Sequence, residues 1–145
     1  ARTTFSIEQA YVVLNPDKKA SIEVVDADLY QRLDANYAGF QGCELISCFE
    51  FEHDWSSWEM HPEGDETVIL LSGQVTFVLQ QGAGEELVLL EQPGDFVVVP
   101  KNTWHSARTT RRSCARPRAL SRITSWRRRR FSRSMLSGFS PVLRA

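Results

Sequence analysis

From residue 43 onward the chain falls into short runs in which apolar and polar side chains alternate, each run closed by Gly or Pro. A period of two is the signature of a strand with one buried face. Cys43 to Phe51 reads as a long strand, and Trp58 to His61 as the next. Glu66 to Leu71 follows, then Gln74 to Gln80, where Val75, Phe77 and Leu79 oppose Thr76, Val78 and Gln80. After a turn at Gly82 and Gly84, Glu86 to Glu91, Phe96 to Val99 and Trp104 to Arg108 complete the series. Strands of this length with turns at this spacing predict a sandwich or small barrel.

The N-terminal stretch is mixed. Tyr11 to Leu14 and Ser21 to Val25 read as strands around the turn Asn15-Pro16-Asp17. Leu29, Leu33 and Tyr37 recur every four residues, which predicts a short helix with one apolar face. Asp28 stands where a cap belongs, with Gln31 three residues on. Gly39 ends the helix.

The pattern stops near Thr109, where the charge also changes sign. Residues 1–106 hold five basic side chains against all 18 acidic ones, a balance of −13. Residues 107–145 hold 12 arginines and no acid or lysine, a balance of +12. The whole-chain balance of −1 therefore describes neither part. The organisation expected is a barrel domain over 1–108 and an arginine-rich tail over 109–145. Three readings of the tail stand: a basic arm for nucleic acid, a poorly ordered extension, or a segment that has left its original reading frame. The third is preferred, because composition and β pattern change together.

Cys43, Cys48 and Cys114 are too few and too awkwardly spaced for a disulfide framework. The first 20 residues lack the apolar stretch of a secretion signal, and no run is long enough to span a membrane. A reducing cytoplasm is the expected location.

Chemistry concentrates in Trp58-Glu-Met-His-Pro-Glu-Gly-Asp-Glu66 and in Gly94 to His105. Glu59 and His61 are two apart in a strand, so their side chains share a face. The turn Pro62-Glu63-Gly64 leads to Glu66, and His105 arrives after Pro100. Imidazoles with carboxylates suit Fe, Mn, Zn or Ni. Glu63 and Asp65 sit in a turn and read as solvated charge. Val68 and Leu70 share the face of Glu66 and read as barrel core. Trp104 falls outward by parity, which suggests packing or an interface.

These two segments resemble the two motifs of the cupin superfamily. The first motif ends His, four residues, Glu, six residues, Gly, as do His61, Glu66 and Gly73. The second runs Gly, five residues, Pro-x-Gly, two residues, His, and here Gly94, Pro100 and His105 match, with Asn102 in the glycine position. Glu59 replaces the first histidine, and Trp55 and its neighbours replace a leading glycine. The wording of the first motif is similar to that of small single-domain bacterial cupins. The resemblance implies a mainly β fold, the double-stranded β-helix or jelly-roll barrel, with a short N-terminal helix. It implies one divalent transition metal on Glu59, His61, Glu66 and His105, with no catalytic residue specified. The function it implies is binding of, or action on, a small polar metabolite, with a non-enzymatic sensor module as the alternative; the arginine-rich tail carries a second alternative, a nucleic-acid-associated protein. Relatives continue with a further strand that closes the sheet; here the arginine-rich tail stands in its place, so an exposed edge and a homodimer are expected.

Overall fold

The computed structural model describes residues 3–109 and 116–124, together with the backbone of 129–132. Two antiparallel sheets face each other. One contains β1 (Ala10–Leu14), β2 (Ala20–Val24), β3 (Glu44–Glu50), β5 (Glu66–Ser72), β8 (Phe96–Val99) and β10 (Arg118–Ile123), in the order β2-β1-β3-β10-β5-β8. The other contains β4 (Ser57–Met60), β6 (Val75–Gln81), β7 (Gly84–Leu90), β9 (His105–Thr109) and β11 (Arg129–Ser132), in the order β11-β4-β9-β6-β7.

The alternating positions meet between the sheets. Val68 and Leu70 of β5, Phe77 and Leu79 of β6, Val97 and Val99 of β8, and Ala107 and Ala119 form one buried cluster, as the period-two pattern predicts. Val68 and Leu70 are thus core. A second cluster joins Val13, Leu45 and Ile123 to Leu29 and Leu33 of helix α1 (Leu29–Asn36). The helix closes the β1–β3 end of the sandwich. Each fully buried Leu contributes about 1.5–3 kcal/mol.

Three expectations change here. Asp28 is the N-cap residue but makes no side-chain cap hydrogen bond. The Asp26 carboxylate instead accepts from the Asp28 N–H at 3.0 Å and pairs with Arg32 at 2.6 Å. A short 3₁₀ turn over Ala38–Phe40 follows the helix, with Gly39 at φ 71° inside it. The third change is the largest. The arginine-rich segment, expected to stand in place of the closing strand, itself forms a strand there. β10 lies between β3 and β5, pairing Leu120 with Cys48 on one side and with Ile69 on the other. The sheet therefore continues beyond residue 108, and β10 occupies the space between β3 and β5. Ala119, Ser121 and Ile123 are buried, whereas Arg122 stays exposed.

Gly73 makes the entry to β10 possible. Its φ of 77° suits glycine, and a Cβ there would lie 2.7 Å from the Pro117 Cα. Cys43 and Cys48 are buried free thiols, and Cys114 lies outside the described residues. Among the described residues no helix is long and apolar enough to cross a membrane.

Candidate metal centre

The site forms where β4 and β9 run side by side. Glu59 pairs directly with His105, and His105 pairs on its other side with Leu79 of β6. In-register neighbours point to the same face, so Glu59 and His105 both enter the space between the sheets. His61 follows β4 on the parity of Glu59. One ligand atom from each of Glu59, His61 and His105 lies within 4.8 Å of the others, and all three residues are buried. These three form a His/Glu group that could hold a metal ion.

Glu66 reaches the group from the opposite sheet. The chain does not make a hairpin at Pro62–Gly64, as two neighbouring strands would require; it crosses between sheets, because β5 pairs with β8 and β10. The Glu66 carboxylate lies 3.4 Å from His61 Nε2 and 3.3 Å from His105 Nε2. Two ligands about 2.1 Å from one ion at tetrahedral angles are about 3.4 Å apart, so these contacts have the length of a shared coordination edge. Glu66 thus touches two members of the group of three without being one of it.

Hydrogen bonds fix the orientation of His105. Its Nδ1 lies 3.1 Å from the Thr103 carbonyl. A carbonyl only accepts, so Nδ1 donates to it, and Nε2 is the nitrogen that faces inward, toward Glu66. Glu66 is positioned by Ser121 of β10, whose hydroxyl donates to Oε2 at 3.1 Å. Burial would push the Glu66 carboxyl up. Its contacts with His105 and His61 outweigh that and hold it at about 2. Burial would likewise push His105 down, yet Glu66 raises it above its ordinary value.

Both nitrogens of His61, Nε2 of His105 and Oε1 of Glu66 are buried without a hydrogen-bond partner among the described residues. Such atoms are costly when nothing meets them. The convergence of His61 Nε2, His105 Nε2 and the Glu66 carboxylate, imidazole and carboxylate donors together, fits a divalent transition metal.

The surrounding loops supply support that the sequence pattern left unassigned. Asp65 accepts from the Lys101 backbone N–H at 2.8 Å and so ties the two motif turns together. Asn102 has φ 62°, a left-handed conformation that Asn tolerates, and its N–H donates to the His61 carbonyl at 2.9 Å. Asn102 thereby takes a left-handed conformation that glycine would also accept at the position where the resembling motif has one. Glu63 is exposed in its turn. Trp104 faces away from the site, where it is buried with Trp58, Met60 and Val78 on the outer side of β4, β9 and β6. Trp55 lies inside, stacked on Phe51 at 5.7 Å with its ring 6.2 Å from that of His105. A cavity of about 400 Å³ opens above the group, and both Glu59 and Glu66 line it. Of the residues sequence reading missed, Ser121 carried no usable signal, because the inward positions of its strand are Ala119, Ser121 and Ile123 and hydrophobicity does not mark that face. Thr103 carried none, since it acts through its backbone.

Residues 48–115 match the family model described as Cupin domain. No curated protein matches the sequence. Among solved structures, a cupin-2 domain containing protein from Shewanella frigidimarina is 18% identical, covering 55% of this chain and 68% of that one with a TM-score of 0.45. A cupin superfamily protein from Desulfitobacterium hafniense is 22% identical, covering 55% of this chain and 65% of that one with a TM-score of 0.43. Oxalate decarboxylase of Bacillus subtilis, whose structure title refers to Mn(II) centres, is 14% identical and covers 63% of this chain but 23% of that one, with a TM-score of 0.48.

Proposed function

We propose, from the match of residues 48–115 to the Cupin domain model, that the chain is a cupin that holds one divalent transition metal on Glu59, His61, Glu66 and His105 and binds or transforms a small polar metabolite there. The observation that supports this most directly is the cluster of buried, unsatisfied atoms of His61, Glu66 and His105, which come from both sheets and from the chain just past β4. Fe, Mn, Zn and Ni all suit two imidazoles and two carboxylates. When bound, such an ion supplies Lewis acidity or a redox centre. The protein's own residues do the rest. Thr103 holds His105 in the tautomer that presents Nε2. Ser121 keeps one Glu66 oxygen oriented. Glu59 and Glu66 bring two negative charges to match the ion, and the Trp55 ring packs beside His105.

The cavity that reaches Glu59 and Glu66 favours a site open to a small molecule over a sealed sensor centre. A sensor that admits a ligand but performs no turnover is the second reading, and the same cavity supports it. Exposed Phe96 and Val98 on the outer face of β8, at 62% and 45% exposure, favour a homodimer that covers them. Sedimentation showing monomer alone at micromolar concentration would count against that part.

Elemental analysis of purified protein tests the centre. We expect roughly one equivalent of a first-row metal, lost in His61→Ala and reduced in Glu59→Gln. A folded protein that takes up no metal from any of the four ions would defeat the proposal.

A further inference from the structure

We propose that the cavity above this site selects a small aryl amine, a flat apolar ring bearing a cationic nitrogen, and disfavours carboxylates. The inference deepens the reading of the site as a small-molecule centre and rests on it. Its basis is the charge and shape of the cavity wall. Five carboxylates line the cavity: Glu50, Glu52, Asp54, Glu59 and Glu66. Among the described residues that line it there is no lysine or arginine, and His53 is the one histidine. A divalent ion would offset Glu59 and Glu66. Of the remaining three, Glu52 is answered by Arg116 at 2.9 Å. Glu50 and Asp54 remain, and the contacts of Asp54, with the Thr109 N–H at 2.7 Å and hydroxyl at 3.3 Å, are uncharged. Among the described residues the lip therefore carries net negative charge even with the centre loaded. A carboxylate ligand would approach that lip against like charge, while a cation would be drawn to it.

The walls add the second requirement. Tyr11, Tyr30, Phe49, Phe51 and Trp55 line the same space. Phe51 and Trp55 are stacked, and Phe49 meets both, at 4.9 Å and 6.3 Å between ring centroids. Aromatic faces accept both a flat ring and a cation. Ser47 and Ser121 supply neutral hydrogen-bonding groups deeper in. The volume of about 400 Å³ lies in the range that holds a single ring with a short arm.

The test uses three probes of one size and three charges: phenethylamine, 2-phenylethanol and phenylacetate. Their affinities for the full chain are measured by titration calorimetry at low and at molar salt, with metal content determined on the same sample. We expect phenethylamine to bind at least about tenfold more tightly than phenylacetate at low salt, with the alcohol between. The gap should narrow at high salt. Glu50→Gln, a change at an exposed position, should weaken phenethylamine about threefold and leave the alcohol unchanged. Phenylacetate binding as tightly as the amine, or no saturable binding by any probe, would overturn the inference. Metal present with the anion preferred would defeat the charge argument and leave the metal reading standing. An amine preference in protein that takes up no metal would do the reverse.

Discussion

Ser121→Ala is the most incisive single change, because it tests the centre and the placement of β10 together. The hydroxyl donates to Glu66 Oε2 at 3.1 Å, and both residues are buried, at 2% and 6% exposure. A hydrogen bond to a charged acceptor contributes about 1.5–3 kcal/mol. Removing one oxygen opens no cavity of consequence, and alanine's greater apolarity offsets part of the loss, so about 1.5 kcal/mol is expected. With a urea dependence of about 2 kcal/mol per molar, the unfolding midpoint falls by roughly 0.75 M. Metal affinity should fall about 10- to 100-fold, because an unanchored Glu66 no longer meets the ion in one orientation. Arg122→Ala is the control. It lies on the same strand, one position away, and its contact with Glu44 at 2.9 Å is largely solvated. Its loss should cost under about 1 kcal/mol and leave metal binding unchanged. If Ser121→Ala unfolds within about 0.3 kcal/mol of the parent and binds metal equally well, Ser121 is not at Glu66, and the account of β10 fails with it.

Other outcomes follow from the same geometry. Metal-free protein should be most heat-stable between about pH 4.5 and 6.5. Glu66, held at about 2 against an ordinary 4.5, contributes stability above 4.5 that is lost as pH falls toward 2. His105, raised above 6.5, contributes stability below 6.5 that is lost as pH rises through its shifted value. A scanning-calorimetry midpoint that climbs steadily from pH 5.5 to 9 in the metal-free form would contradict this. Gly73→Ala should destabilise by about 1–3 kcal/mol, since it combines positive φ with a 2.7 Å approach to Pro117; a change under about 0.5 kcal/mol in chemical denaturation would show the turn to be looser. Asn102→Gly should be close to neutral and Asn102→Val should cost about 1–2 kcal/mol, because φ 62° is open to Gly and Asn but not to a β-branched residue. Equal midpoints for the two variants would remove the left-handed turn from the argument.

Strict alternation was the most legible feature of the sequence. Phe96–Val99 matches its expected range, and β5, β6 and β9 each lie within about a residue of theirs. The parity that puts Glu59 and His61 on one face also placed Trp58 and Met60 on the other, and both pairs are where parity puts them. What spacing could not supply was sheet membership. Glu66 follows His61 closely enough to suggest a hairpin, and only long-range pairing with β8 and β10 sends it to the opposite sheet. β10 itself was illegible because its inward residues are Ala, Ser and Ile while Leu120 and the arginines face outward, so hydrophobicity does not mark the buried face. β2 shows the same inversion. Ile22 and Val24 are exposed, while Glu23 is half-buried because it accepts from the Tyr37 hydroxyl at 2.7 Å and from Arg32 at 3.4 Å. Polar residues with dedicated partners defeat a pattern that assumes polar means outside.

The division of charge along the chain acquires a physical meaning from these pairings. Arg108 meets Glu85, Arg116 meets Glu52, Arg118 meets Glu8 and Arg122 meets Glu44. Every arginine of residues 107–145 whose side chain is described therefore lies against an acid of the N-terminal part. Each such exposed pair contributes little to stability. Together they offset four charges of a body that carries −13 over residues 1–106, and self-repulsion of that size opposes compaction. The basic strand is thus a counter-charge to the domain it completes. A nucleic-acid role would have to rest on the remaining arginines, Arg127 to Arg130 foremost. Substituting Ser for those four tests it, with strand and metal content measured alongside because Arg129 and Arg130 belong to β11, next to β4. A salt-dependent DNA affinity in the parent that disappears in that variant would restore the nucleic-acid reading. An affinity unaltered by the change would trace binding elsewhere, and no affinity in either would leave the tail's charge with an intramolecular purpose alone.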